Sequence, residues 1–61
     1  MFGIFSITKN KFLTANGWVH EVRHADVSTI EVVRERRNSL RGNKTDYLIV
    51  EIDGPEYYVA E

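Results

Sequence analysis

Residues 47–60, the clearest predicted β-hairpin of the chain, read Tyr47-Leu48-Ile49-Val50-Glu51-Ile52-Asp53-Gly54-Pro55-Glu56-Tyr57-Tyr58-Val59-Ala60. The three consecutive aliphatic residues in the first half are typical of a strand that is buried on both faces. The Asp-Gly-Pro-Glu segment has the composition of a turn. The residues that follow are aromatic and β-branched, which favours a short returning strand.

One more strand and a second hairpin are predicted in the first third of the chain. Phe2 to Thr8 is rich in aromatic and β-branched residues and precedes a polar turn. Residues 12–15 and 18–22 flank Asn16-Gly17, and Asn-Gly favours a type I′ turn because that turn needs two positive φ angles. We therefore expect residues 12–15 and 18–22 to pair as neighbouring antiparallel strands.

The middle of the chain allows two interpretations. Ser28 and Glu31 match a capping box, which would begin a helix that runs toward Gly42. One face of that helix would carry Ile30, Val33, Arg37 and Leu40. Five β-branched residues between positions 27 and 33 favour a strand instead, with Ile30 and Val32 pointing inward. We predict the strand, and residues 38–45 then form a hairpin loop.

These elements predict a mainly β fold, a small antiparallel meander or partial barrel of five to six strands. The alternative is an α+β fold with a central helix around residues 28–41. With 61 residues the chain forms a single domain that spans residues 1–61.

The composition limits the classes of function. The chain has no cysteine, which excludes disulfides and thiolate metal sites and fits a reducing, cytoplasmic location. The apolar segment from Met1 to Ile7 is too short for a membrane helix and lacks the features of a signal peptide. We expect no membrane association, no cofactor and no enzymatic activity, because no complete catalytic constellation is present.

Three segments together resemble bacterial pleckstrin-homology-like domains. The segments are Ile7-Thr8-Lys9-Asn10-Lys11-Phe12-Leu13, Ala25-Asp26-Val27-Ser28-Thr29-Ile30-Glu31-Val32, and Tyr47-Leu48-Ile49-Val50-Glu51-Ile52-Asp53-Gly54 with Tyr57-Tyr58-Val59. This family has more strands and a closing C-terminal helix for which the chain has no residues. The resemblance therefore implies a truncated sheet with an uncovered apolar face that a second subunit or a partner would cover.

One motif suggests metal chemistry. His20-Glu21-Val22-Arg23-His24 fits H-E-x-x-H, in which a helix places two imidazoles on one side to bind Zn²⁺ and the glutamate activates water. His20 and His24 are thus the candidate metal ligands, and a third ligand would be a carboxylate such as Asp26, Glu31 or Glu35. We expect a strand here, which would hold the two histidines about 13 Å apart and prevent a shared metal.

The charge is uneven although the net charge is only −1. Basic residues within an eleven-residue segment are Arg34, Arg36, Arg37, Arg41 and Lys44, and the last sixteen residues have carboxylates but no Lys or Arg. The basic residues are candidates for binding phosphate or nucleic acid from a hairpin. A solvated basic strand beside an acidic neighbour explains the same pattern.

The favoured function is a non-enzymatic protein-interaction module that self-associates, because a chain this small needs help to complete its core. A phage or mobile-element accessory or inhibitor protein is one form of such a module. The candidate partner-binding residues are Trp18, Tyr57 and Tyr58. Adjacent tyrosines on a strand point to opposite faces, so one is expected in the core and the other at the interface.

Overall fold

The computed structural model describes all 61 residues and contains one sheet and one α-helix. The strands are β1 (Phe2–Ser6), β2 (Lys11–Thr14), β3 (Gly17–Val19), β4 (Tyr47–Asp53) and β5 (Glu56–Val59). The helix α1 (Ile30–Ser39) and two single-turn 3₁₀ segments, Val22–His24 and Lys44–Asp46, lie between β3 and β4. Every strand pair is antiparallel, which confirms the mainly β fold class.

The strand order is β3-β2-β1-β4-β5, so the sheet is open and the central strand is β1. The pairing of β1 with β4 runs from Phe2 opposite Glu51 to Ser6 opposite Tyr47. On its other side β1 pairs with β2 at its C-terminal end, and Phe2 exchanges backbone hydrogen bonds with Ser28 at its N-terminal end. The central strand therefore joins the two predicted hairpins and the segment that leads into α1.

The core lies between α1 and one face of the sheet. Ile4 and Ile49 are directly opposite each other on β1 and β4, and both are almost completely buried beneath Val33 of α1. Tyr47 completes this cluster. The half-buried side chains packed around it are Phe2, Leu13, Trp18, Ile30 and Leu40. The uncovered apolar face that the resemblance implies is not found on this side of the sheet, because α1 covers it.

The sheet curls toward the face opposite α1. The rings of Phe12 on β2 and Tyr57 on β5 meet edge to face with centroids 4.9 Å apart. Two strands lie between β2 and β5, and a flat sheet would separate them by about 14 Å. Phe5 lies between the two rings, 5.0 Å from Phe12 and 6.0 Å from Tyr57. Curvature thus lets this concave face bury part of its own apolar surface.

The strand predicted around residues 27–34 is wrong, and the alternative of a central helix is confirmed. The less exposed positions of α1 and its C-cap include Ile30, Val33, Arg37 and Leu40, at intervals of three to four residues. This spacing follows a helical period, whereas a strand would bury every second residue. The preference of β-branched residues for strands is weak, and the burial of one helical face against the sheet outweighs that preference. The capping box does not form, because the N-cap is Thr29 and Ser28 pairs with Phe2.

The two predicted hairpins are confirmed, with local corrections. β2 and β3 pair as expected, but only Gly17 has a positive φ, so the turn is not type I′. β3 ends at Val19, and residues 20–22 are not part of a strand. The hairpin loop predicted for residues 38–45 is wrong, because α1 extends to Ser39 and residues 40–46 connect it to β4.

Neither α1 nor the 3₁₀ segments combine the length and the apolar character that a membrane-spanning helix requires.

Two adjacent valines of α1 test this packing, since Val33 has no exposed surface whereas Val32 is 42% exposed. Val33→Ala should lower the free energy of unfolding by about 2 kcal/mol, because it leaves a cavity against Ile4 and Ile49. Val32→Ala is the matched control and should leave the stability unchanged or slightly higher, since alanine is the better helix former. Urea unfolding measures both. Equal losses for the two variants would contradict the orientation of the helix.

Candidate functional site

The most exposed apolar surface that belongs to a strand is β5, at one edge of the sheet. Tyr57 is 44% exposed, Tyr58 57% and Val59 65%. Tyr57 points to the concave face, where it packs against Phe5 and Phe12, and Tyr58 points to the opposite face. The prediction that one tyrosine lies in the core is wrong, because both are exposed.

A β-bulge ends the pairing of β4 with the chain that follows β5. The backbone N–H groups of Ala60 and Glu61 both donate to the carbonyl of Ile49, and the N–H of Ile49 donates to the carbonyl of Glu61. Two residues thus oppose one, and such bulges redirect a strand and its side chains. Here the bulge brings the carboxylate of Glu61 to the guanidinium of Arg34 on α1.

The ion pair between Arg34 and Glu61 shifts both groups toward their charged forms. The hydrogen bonds from Arg34 lower the pKa of Glu61, and the same bonds raise the pKa of Arg34. Both side chains are well exposed to solvent, so the pair contributes little to stability. Its effect is positional, because it holds the end of the chain against α1 and away from the free edge of β5.

Trp18 lies far from the two tyrosines with which it was grouped. It is on β3, at the opposite edge of the sheet, and its ring stacks on Tyr47 with centroids 5.9 Å apart. The ammonium of Lys9 lies 5.7 Å from the Trp18 ring. The structure therefore places Trp18 against the helix-side core and not beside β5.

The five basic residues expected on a hairpin lie on α1 and on the loop that follows it. Arg37 donates from Nε to the carbonyl of Tyr47 at 2.9 Å and from Nη2 to the carbonyl of Lys44 at 3.1 Å. Lys44 donates to the carbonyl of Leu40. With Arg34 bound to Glu61, three of the five cations are engaged within the chain, and the side chains of Arg36 and Arg41 make no such bond.

Charge is segregated along the strand direction. The basic end of the domain surrounds the start of β4, the turn between β1 and β2 and the last turns of α1, and it carries six cations and two carboxylates: Lys9, Lys11, Glu35, Arg36, Arg37, Arg41, Lys44 and Asp46. The acidic end surrounds the start of β1 and the turn between β4 and β5, and it carries six carboxylates and one cation: Glu21, Arg23, Asp26, Glu31, Glu51, Asp53 and Glu56. This polarity also matches the dipole of α1.

Sequence reasoning missed Lys9 and Lys11 as members of the basic end. They precede Arg41 by about thirty positions, and only the antiparallel pairing of β1 with β4 brings their turn to Tyr47. Without that pairing no local pattern connects the two segments.

Hydrogen bonds to Asp46 link the end of β1 and the turn after it to the start of β4. Its carboxylate accepts from the backbone N–H of Thr8 at 2.7 Å and from the hydroxyls of Ser6 and Thr8 at 2.8 and 2.9 Å. The backbone bond from Thr8 is the main reason that the pKa of Asp46 lies below its ordinary value, and the hydroxyl bonds act in the same direction. Sequence reasoning had grouped this residue only with the acidic C-terminal third.

The H-E-x-x-H segment is not an α-helix. Val22–His24 forms a single 3₁₀ turn, and His20 and His24 are exposed. Glu21 forms an ion pair with Arg23 at 2.8 Å instead of standing beside a metal site. No group of three or more His, Cys, Asp or Glu side chains is arranged to hold a metal ion. The segment lines an open depression of about 390 Å³ with Pro55 across from it, at the acidic end.

Comparisons with protein-family models, with curated proteins and with solved structures found no match for this chain.

The hydrogen bonds of Asp46 predict a dependence of stability on pH. A lowered pKa means that the stabilisation is complete above the ordinary pKa of aspartate, 3.8, and is lost as the pH falls through the lowered value. The melting temperature should therefore fall on acidification from about pH 6 to about pH 3. Asp46→Asn should lower it at pH 6 and make the remaining fall smaller.

Asp53→Asn is the matched control, because Asp53 is an exposed carboxylate at the end of β4. It should keep the acid-dependent fall of the unchanged protein. If Asp46→Asn and Asp53→Asn gave the same profile, the stabilising role of Asp46 would be wrong.

Proposed function

We propose that this protein is a non-enzymatic interaction module that self-associates through the free edge of β5. The observation that carries the proposal is an edge strand whose four residues are all exposed and which has neither a lysine nor a proline to block pairing. Exposed edge strands are templates for pairing with another chain unless they are blunted in such ways. The absence of cysteine fits a cytoplasmic location, which is part of the proposal.

The free edge has a defined set of hydrogen-bonding groups. Antiparallel pairs alternate between residues that exchange backbone hydrogen bonds and residues that do not. Ile49 exchanges backbone hydrogen bonds with residues 60 and 61, which follow β5. By the alternation, the next hydrogen-bonded pairs are Glu51 with Tyr58 and Asp53 with Glu56. The N–H and C=O groups of Tyr57 and Val59 consequently point away from the sheet.

One antiparallel register suits these groups. A two-fold axis at Tyr58 places Tyr57 opposite Val59 of the second copy, so that both outward pairs exchange hydrogen bonds. A register centred on Tyr57 would place Val59 opposite Pro55, which has no N–H to donate. A register centred on Val59 would require Glu61, which the bulge and Arg34 hold toward α1. We therefore assign the register centred on Tyr58.

The charge distribution favours the same arrangement. Two strands that run in opposite directions place two domains side by side with their charged ends reversed. The acidic turn of one copy, with Asp53 and Glu56, then approaches the Arg34–Glu61 pair of the second copy. This pair lies on the side of β5 that is nearer to the basic end. Opposite potentials across the contact favour association and fix its direction. No like charges are directly opposite each other in this register.

The expected dimer is weak, since a four-residue strand contributes a small interface. Sedimentation velocity at protein concentrations from about 1 μM to about 1 mM should show a concentration-dependent change from monomer to dimer. Tyr58→Lys should abolish it, because Tyr58 faces itself across the two-fold axis and two ammonium groups would meet there.

Ile7→Lys is the matched control. Ile7 is 52% exposed and lies in the turn after β1, so the same change of an exposed apolar residue to lysine should leave the dimer intact. Val59→Pro is a second test variant and should also weaken the dimer. It removes an outward N–H of β5 without removing a hydrogen bond between β4 and β5. A monomer at every concentration, or equal loss for Tyr58→Lys and Ile7→Lys, would contradict the proposal.

A further inference from the structure

We propose that the basic end is a second binding surface, and that its ligand is the phosphodiester backbone of a nucleic acid, bound without sequence preference. This surface is separate from the edge of β5, and the inference does not rest on self-association. It combines Lys9 in the turn between β1 and β2, and Lys11 at the start of β2, with the end of α1 and the loop after it, which carry Arg36 and Arg41.

The structure separates the cations available to a ligand from those already engaged. Arg34, Arg37 and Lys44 donate to groups of the chain itself. Lys11, Arg36 and Arg41 make no ion pair or side-chain hydrogen bond within the chain, and the Lys9 ammonium contacts only the face of a ring. The engaged cations still contribute to the local positive potential, whereas the other four are available to contact phosphate oxygens directly.

The two carboxylates near this end, Glu35 and Asp46, leave it with an excess of four positive charges, because six cations lie there. Asp46 directs both oxygens toward Ser6 and Thr8, from which they accept three hydrogen bonds. The remaining carboxylates of the last third of the chain lie at the acidic end or, in the case of Glu61, against Arg34. A chain with a net charge of −1 can therefore present one strongly positive surface.

The shape of this surface favours a polyanion over an acidic peptide. The depression in the protein surface lies at the opposite end, between Pro55 and the Val22–His24 turn, so the basic end offers no recess for a peptide side chain. A nucleic-acid backbone needs no recess, because binding comes from phosphate contacts and from the release of counterions. The acidic end would repel the same polymer and so orient the domain on it.

The test uses a fluorescently labelled oligonucleotide, single-stranded and duplex, and measures anisotropy as the salt concentration is varied. Binding should be detectable at about 50 mM salt and should weaken steeply by about 200 mM. Arg41→Gln should weaken binding several-fold and lower the slope of log affinity against log salt by about 1. The emission of Trp18, the only tryptophan, should change over the same titration, because Lys9 lies against its ring.

Arg23→Gln is the matched control, since Arg23 is an exposed arginine at the acidic end. It should leave the affinity unchanged, and so should Val59→Pro, which tests self-association separately. No binding at low salt, an equal loss for Arg23→Gln and Arg41→Gln, or an unchanged Trp18 emission would overturn the proposal. Equal affinity for polyglutamate or for anionic phospholipid vesicles would overturn the assignment of nucleic acid as the ligand.

Discussion

The pairing of β1 with β4 is the interaction on which the rest of the structure depends. It joins residues 2–6 to residues 47–51, more than forty positions apart in a chain of 61. Ile4 and Ile49 face each other in this pairing and form the floor on which Val33 of α1 packs. Loop-closure entropy opposes such distant contacts, so they form only because the buried residues on both strands stabilise the pair.

Both proposed surfaces are consequences of this pairing. With β1 and β4 at the centre, the last strand lies at an edge and leaves Tyr57 and Val59 with free backbone groups. The same pairing brings Lys9 and Lys11 to the start of β4, where the arginines at the end of α1 also lie. The acidic residues gather at the other end. A chain that is nearly neutral in composition thereby becomes strongly polar in structure.

The elements that sequence reasoning predicted correctly are those with local determinants. Turn residues flanked by apolar segments mark both hairpins, at Asn16-Gly17 and at Asp53-Gly54. The interpretation of α1 as a strand failed because β-branched side chains express only a weak preference. The helix instead depends on a sheet face that distant strands provide, and the face that meets it carries Ile30, Val33, Arg37 and Leu40.

The candidate surfaces were less predictable than the fold class. The exposure of Tyr57 and Tyr58 depends on the order of the strands, and the basic end depends on the pairing register, and neither has a local signature. Arg37 illustrates the difficulty. It was a candidate for phosphate binding, but its guanidinium holds the backbone between Lys44 and Tyr47, a role that requires the loop to fold back on α1.

Amide hydrogen exchange followed by nuclear magnetic resonance at low and high protein concentration tests the central claim most directly. The account predicts that the amides of Tyr57 and Val59 exchange more slowly as the concentration rises, because they donate across the two-fold axis. The amide of Tyr58, which already donates to β4, should change far less. If Tyr57 and Val59 exchanged at the same rate at every concentration, the edge of β5 would not be the interface.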